Sequence, residues 1–314
     1  MREKIIETLN LSKKFKGNVE ALKSLNLIIK SGESVGYIGP NGAGKTTTIQ
    51  IILNLIRATT GEVYLFGEKL NGNSKQHLSR IGALVEIPGF YEYLTPIQFL
   101  NHVCRIHRIE KKEIDSQILN TLNLMKLKEV ANEKIGSFST GMKRRLAIAQ
   151  VLVHDPDLII LDEPTNGLDP KGVREVRDII KKLHKSGKTI FISSHNLTEV
   201  SEIAERVIFL NKGKIIEDAN MSSLRDRIKS THIEIHFTGD LSNHQKETIR
   251  KIPGIINVDF SRITSVEYSD LKQNPETILQ ELIKKDLMIS SFMPRKMTLE
   301  DLYLQLYGSE ESLR

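Results

Sequence analysis

Three groups of residues in this sequence could do chemistry together. They are Gly39-Pro40-Asn41-Gly42-Ala43-Gly44-Lys45-Thr46-Thr47, the pair Asp162-Glu163, and His195. The first fits the pattern G-x-x-x-x-G-K-[ST] in full. Its glycines allow a tight turn with backbone N–H groups facing inward, a nest for phosphate oxygens at the positive end of a helix. Lys45 would reach terminal phosphates, and the Thr46 hydroxyl would ligate Mg²⁺. Asp162 is placed to hold the same ion. Glu163 is placed to orient and polarise an attacking water as general base. His195 is a candidate contact for a terminal phosphate.

The flanking residues must position these groups, and their patterns agree. Ser34–Ile38 reads as a short buried strand ahead of the loop, and Ile49, Ile52, Leu53 and Ile56 follow it at helical spacing. Leu158-Ile159-Ile160-Leu161 is a continuous apolar run of the kind a parallel strand buried on both faces requires, ending at Asp162. Thr189–Ile192 is another such strand, running into Ser193-Ser194-His195. Ligands of α/β sheets sit at the carboxyl ends of strands, where all three groups are expected.

The remaining elements follow in order. Residues 5–30 read as an antiparallel pair, with Phe15 between its halves; spacing alone leaves Phe15 either a core residue or a stacking surface for a purine ring. Thr60-Gly61-Glu62 reads as a turn, Val63–Phe66 and Ile81–Val85 as strands, the latter ending at Glu86. Pro96 to about Leu127 shows only helical spacing, so a helical insertion is expected over about 95–150. Ser137–Met142 reads as a small polar turn before a helix that His154-Asp155-Pro156 stops. Asn166-Gly167-Leu168-Asp169-Pro170 precedes another helix. Val207–Leu210 and Lys214–Ile216 close the first domain.

The character changes near residue 221. Residues 222–230 read as a polar linker or short helix. Beyond it the order β-α-β-β-α-β suggests a small ferredoxin-like α+β domain. Its elements are 232–237, 242–251, 255–260, 263–268, a helix from Pro275 capped by Asn274, and 288–293. A last helix is expected over Thr298–Tyr307. This part contains no catalytic constellation, and His232 and His236 read as surface residues. The expected division is therefore 1–220 and 221–314.

Composition narrows the class. The 314 residues suffice for two domains, and 39% hydrophobic with 27% charged residues is a globular balance. No apolar run reaches bilayer length, and the N-terminus lacks a signal-peptide pattern, so a cytoplasmic protein that does not itself cross the membrane is expected. The single cysteine, Cys104, fits a reducing compartment. The net charge of +6 is spread along the chain rather than gathered into a nucleic-acid-binding run, so no nucleic-acid partner is expected.

Taken in order, these motifs resemble the ATP-binding subunit of an ABC transporter. Gly39–Thr47 resembles the family's Walker A loop, and the strand with Asp162-Glu163 its Walker B. Asn166–Pro170, with Asp169, resembles the D-loop, and His195 the switch histidine. Phe15 takes the place of the aromatic that stacks on adenine. Ser139-Thr140-Gly141-Met142-Lys143-Arg144-Arg145 is similar to the signature sequence, with Phe138, Thr140 and Met142 departing from the usual Leu-Ser-Gly-Gly-Gln. The resemblance covers roughly residues 1–220. It implies a P-loop ABC ATPase domain, a mixed α/β sheet with an antiparallel part and a helical insertion. It also implies ATP hydrolysis with Mg²⁺ at Thr46, Asp162 and Glu86, and an ATP-dependent head-to-tail homodimer. In that dimer Ser139, Gly141 and Asp169 would contact the partner's ATP.

Glu86 stands where the family usually has Gln. Together with the Met142-Lys143 form of the signature and the C-terminal extension, it makes the chain similar to bacitracin and lantibiotic self-protection exporters; the alternative for Glu86 is a neutral exchange. The resemblance further implies separate transmembrane permease subunits that hold the chain at the inner face of the cell membrane. An importer subunit, or a soluble ABC ATPase not coupled to transport, is the rival reading. The short Lys45–Ser139 interval without heptads argues against the chromosome-maintenance type. One set of motifs rather than two argues against the ribosome-associated type.

Overall fold

The computed structural model describes residues 2–17, 19–71, 75–85, 89–228, 231–253, 255–260, 264–268, 275–296, 299, 301, 302 and 307. The chain forms two compact units, Met1–Met221 and Ser222–Arg314. Each has its own apolar core.

The first unit holds two sheets. β1 (Lys4–Lys14) and β2 (Glu20–Lys30) pair antiparallel, with Ile6 opposite Ile29 and Leu11 opposite Leu25. β3 (Ser34–Ile38) then enters the second sheet and leads through the glycine-rich loop to α1 (Lys45–Ile52). β4 (Thr60–Leu65) and β5 (Glu68–Lys69) return to the first sheet, whose order is β2-β1-β4-β5. The short α2 (Lys75–Leu78) precedes β6 (Ile81–Leu84). The helical segment comprises α3 (Pro96–Ile106), α4 (Lys111–Leu124) and α5 (Thr140–Leu152). There follow β7 (Leu158–Asp162), α6 (Pro170–Lys185), β8 (Thr189–Ser194), α7 (Leu197–Ser201), β9 (Arg206–Asn211) and β10 (Lys214–Asn220).

The second sheet runs β10-β9-β3-β8-β7-β6, with β10 alone antiparallel to its neighbour. Every residue of β3, β7 and β8 is buried, as a central parallel strand requires. Register then decides where the chemistry goes. Ile38 pairs with Ser194, and Asp162 with Ser193, so β3, β8 and β7 end level with one another. Neighbouring strands lie about 4.8 Å apart. The residues just past these ends are therefore brought within reach of one another.

Several local expectations are corrected. Thr60–Glu62 is the start of β4, with Thr60 opposite Ser12 and Glu62 opposite Leu9. Gly61 mimics a turn residue because a Cβ there would collide with the Asn10 carbonyl at φ +89°. The stretch from Pro96 is helical as expected, with one break: α3 stops at Ile106, Arg108 takes φ 58°, and the Ile109 amide returns to the Cys104 carbonyl at 3.1 Å. Periodicity misses this break because the apolar stripe resumes at Ile114 and Ile118. Thr140–Met142, read as a turn, is already the first turn of α5, with Ser139 as its N-cap. Of the two readings of the polar stretch after residue 221, linker or short helix, the structure has the helix, α8 (Met221–Ile228).

The second unit holds β11 (Thr231–Phe237), α9 (Asn243–Arg250), β12 (Ile255–Asp259), β13 (Thr264–Tyr268), α10 (Pro275–Lys284) and β14 (Ile289–Lys296). Its antiparallel sheet has the order β12-β13-β11-β14, the ferredoxin-like arrangement. Ile233, Ile235, Ile249, Val266, Ile278 and Leu282 form the centre of its core. Ser242 caps α9 in a reciprocal capping box with Gln245. His236 is half-buried, while the side chain of His232, the Asn274 cap and most of the expected helix over 298–307 lie outside the described residues.

Candidate functional site

The site assembles at the level ends of β3, β7 and β8. The loop after β3 is anchored by the Gly39 amide to the Ser194 carbonyl (3.3 Å), the Ala43 amide to the Pro40 carbonyl (3.1 Å) and the Gly213 amide to the Ala43 carbonyl (2.9 Å). Gly44 closes it at φ +110°, where a Cβ would lie 2.6 Å from the Ala21 carbonyl oxygen and 2.8 Å from Leu22 Cδ2. The loop therefore rests on the start of β2. The amides of Lys45, Thr46 and Thr47 open α1 and are donors that a helix leaves unpaired. No acidic side chain occupies this first turn, so its positive end stays available to an outside anion.

Lys45 is nearly buried, 6% exposed, yet keeps its ammonium at the loop. Its Nζ donates to the Gly39 carbonyl at 2.7 Å and the Pro40 carbonyl at 3.4 Å, and lies 3.3 Å from Glu163 Oε1. Thr46 Oγ1 donates to Asp162 Oδ2 at 2.7 Å. The other carboxylate oxygen, Asp162 Oδ1, accepts from the Ser193 hydroxyl. Glu163 Oε2 lies 2.8 Å from His195 Nδ1. One carboxylate thus faces the loop lysine on one side and the imidazole on the other.

This array fits a polyphosphate with a divalent cation. The loop offers amides and one ammonium for phosphate oxygens. Thr46 and Asp162 offer adjacent oxygens, the ligand type that Mg²⁺ prefers, and Mg²⁺ usually takes one or two carboxylates with substrate phosphates and water. Among the described residues no cluster of three His, Cys, Asp or Glu could hold a metal alone.

The backbone at Glu163 is unusual. Its φ of 47° puts a non-glycine residue in the left-handed region, a strain found at functional sites. Three contacts fix it. The Glu163 amide donates to the Ser193 carbonyl (3.2 Å) and hydroxyl (3.1 Å), and the Glu163 carbonyl accepts from Arg144 Nη2 at 2.6 Å. Burial pushes the Arg144 guanidinium below its ordinary pKa, while the Glu163 charge pulls it back up.

Ser193 and Arg144 are site residues that the motif reading passed over. Each carries a signal. A serine in a wholly buried strand needs a polar partner. An arginine in register with Ala147, Ile148 and Val151 sits on the apolar stripe of its helix, where a charge needs a reason.

The other sequence candidates lie elsewhere. Phe15 is exposed, which removes the core reading; the Lys13 ammonium sits 5.0 Å from its ring centroid, and its amide donates to the Val19 carbonyl. Ser139 caps α5 by accepting from the Met142 amide at 3.2 Å. Ser139 and Gly141 line a second cavity, of about 470 Å³, with Gly167, Leu168 and Asp169. Asp169 caps α6, accepting from the Gly172 amide at 2.9 Å. Glu86 lies outside the described residues.

The chain is similar in sequence and fold to known proteins. A family model described as ABC transporter matches residues 22–166, and one described as ATP-binding protein DrrA1-3-like, C-terminal domain, matches 220–307. The chain is 43% identical over 224 residues to the bacitracin transport ATP-binding protein BcrA of Bacillus licheniformis, covering 71% of this chain and 72% of that one. It is 34% identical to the BcrA of Enterococcus faecalis, covering 98% and 97%. Among solved structures, it is similar to the ATP-binding cassette MJ0796 in a dimeric post-hydrolysis state bound to ADP and Pi. That likeness has a TM-score of 0.61 and 30% identity, over 69% of this chain and 98% of that one.

Proposed function

This chain belongs to the ATP-binding proteins of ABC transporters, ATPases by family, and from that premise we propose that it powers an exporter of peptide antibiotics of the bacitracin type. The observation that carries the catalytic part is the Glu163 carboxylate held between Lys45 at 3.3 Å and His195 at 2.8 Å, beside the Thr46–Asp162 pair. In this reading the amides of Gly39–Thr47 and the Lys45 ammonium bind the ATP phosphates, and Phe15 stacks on adenine. Thr46 and Asp162, with Glu86 as a further oxygen donor, hold Mg²⁺. The ion neutralises phosphate charge when bound. Glu163 orients a water and takes its proton as the water oxygen bonds to the γ-phosphorus and the bond to the β-phosphate oxygen breaks. His195 steadies Glu163 and faces the γ-phosphate.

The second cavity gives the proposal its dimer. Ser139, Gly141 and Asp169 share one concavity, and a head-to-tail partner would present its nucleotide there. ATP would favour the closed pair through contacts that the open pair lacks, and hydrolysis would release it. Among the described residues no helix is long and apolar enough to cross a membrane, so separate permease chains are proposed to carry the pathway and hold this chain at the inner membrane face. The bacitracin assignment rests on the two BcrA relatives.

The test is Glu163→Gln, purified with ATP from the native membrane. The expected product is an ATP-trapped dimer bound to a polytopic membrane chain, and deletion of the gene is expected to raise bacitracin susceptibility. Rapid ATP turnover by the variant would remove Glu163 from the base role. An ATP-bound dimer with no membrane chain would overturn the transporter reading, and unchanged susceptibility would remove the cargo.

A further inference from the structure

Arg144 is 5% exposed and lies on the apolar face of α5. Its Nη2 donates to two carbonyls, Glu163 at 2.6 Å and Asn166 at 3.3 Å. The Asn166 amide also donates to the Glu163 carbonyl at 3.2 Å. One guanidinium nitrogen therefore bridges both ends of the turn that follows β7. The Arg144 Nε has no partner among the described residues. A buried guanidinium with an unpaired nitrogen is costly. Its placement is thus decided by the two carbonyl bonds.

We propose that Arg144 is a positioning residue for ATP hydrolysis, holding the Glu163–Asn166 turn so that the Glu163 carboxylate stays between Lys45 and His195. Glu163 sits at φ 47°, outside the regions a glutamate ordinarily adopts, and relaxation of that angle would swing its side chain away from both neighbours. From the sheet side, Ser193 holds the Glu163 amide. From the helix side, Arg144 holds the carbonyl. Arg144 also stands five residues beyond the Ser139 cap, on the same rigid element. The strand that carries the catalytic carboxylate is thereby tied to the helix whose first residues line the second cavity. The inference rests on the reading of Glu163 as the base.

The experiment measures ATPase rate and, separately, equilibrium ATP affinity on the full chain, for wild type, Arg144→Met, Arg144→Lys and Glu163→Gln. Arg144→Met is expected to lower kcat about 10- to 100-fold, the kinetic equivalent of one charge-assisted hydrogen bond, with ATP affinity within about twofold. Arg144→Lys, which keeps a charged donor, is expected to recover part of the rate. Should Arg144→Met fail to fold, Arg144→Gln carries the same comparison of rate with affinity. A kcat within about twofold of wild type, or a loss of affinity in proportion to rate, would overturn the role. An active Glu163→Gln would remove the base reading itself. An inactive Glu163→Gln beside an unimpaired Arg144→Met would overturn only the assignment of Arg144.

Discussion

At the scale of single residues, the site is built from groups that constrain one another. Lys45 is nearly buried, so its charge must be met, and the Gly39 and Pro40 carbonyls and Glu163 meet it. Glu163 is in turn held at a strained angle by Ser193 and Arg144. Gly44 has little freedom to change. A methyl group there would meet the Ala21 carbonyl at 2.6 Å, and φ +110° is foreign to an L side chain. Gly44→Ala is expected to push the loop off the start of β2 and to weaken ATP binding at least about tenfold, roughly the 1.4 kcal/mol that one misplaced hydrogen bond removes. Isothermal titration of ATP into the variant checks this, and wild-type affinity would show that the loop can shift without cost.

At the scale of elements, the ends of α3 and α5 meet through two histidines. The rings of His107 and His154 stack at 3.8 Å and 12°. His154 Nε2 lies 3.3 Å from the Ile81 carbonyl of β6, while its Nδ1 is buried without a partner among the described residues. Burial, reinforced by the neighbouring His107, pushes the His154 pKa down from 6.5 to about 4. The unfolded chain takes up this proton near 6.5 and the folded chain only near 4. Between those values the unfolded state binds more protons, so the contribution is complete above the upper value and declines as pH falls toward the lower one. His154→Phe keeps the stack and cannot titrate. Its melting temperature is expected to fall less steeply on acidification through this window than that of the wild type, and equal slopes would exclude His154 as a source of acid sensitivity.

At the scale of the molecule, the chain is two units with two cores. The first carries every group assigned to ATP. The second has its own β-α-β-β-α-β sheet, and Ile235 is fully buried at its centre. Independent cores predict separable unfolding. Ile235→Ala is expected to destabilise the second unit by about 2–5 kcal/mol through lost burial and a residual cavity. Calorimetry is expected to show one transition lowered and the other unmoved. A single transition that shifts as a whole would mean that the units unfold as one.

The candidate site's local chemistry is legible in the sequence alone. Gly39–Thr47, Asp162-Glu163 and His195 are contiguous stretches whose meaning lies in residue type and short spacing. The buried strands before them are legible because both faces of a parallel strand must be apolar. The β-α-β-β-α-β order after residue 221 was legible for the same reason, since period and punctuation are local signals. Boundaries were less so: Gly61 and the α3–α4 break are set by a neighbouring strand and by a left-handed Arg108, neither of which alters the apolar spacing around them. Which groups meet is set by the packing of the sheet. Asp162 reaches Thr46 across 116 positions, and Glu163 reaches Lys45 and His195, because the registers of β3, β8 and β7 end those strands level. Ser193 and Arg144 became site residues only there. Their side chains act on the backbone and carboxylates of distant residues, and no spacing within one chain segment encodes a contact that forms when the sheet closes.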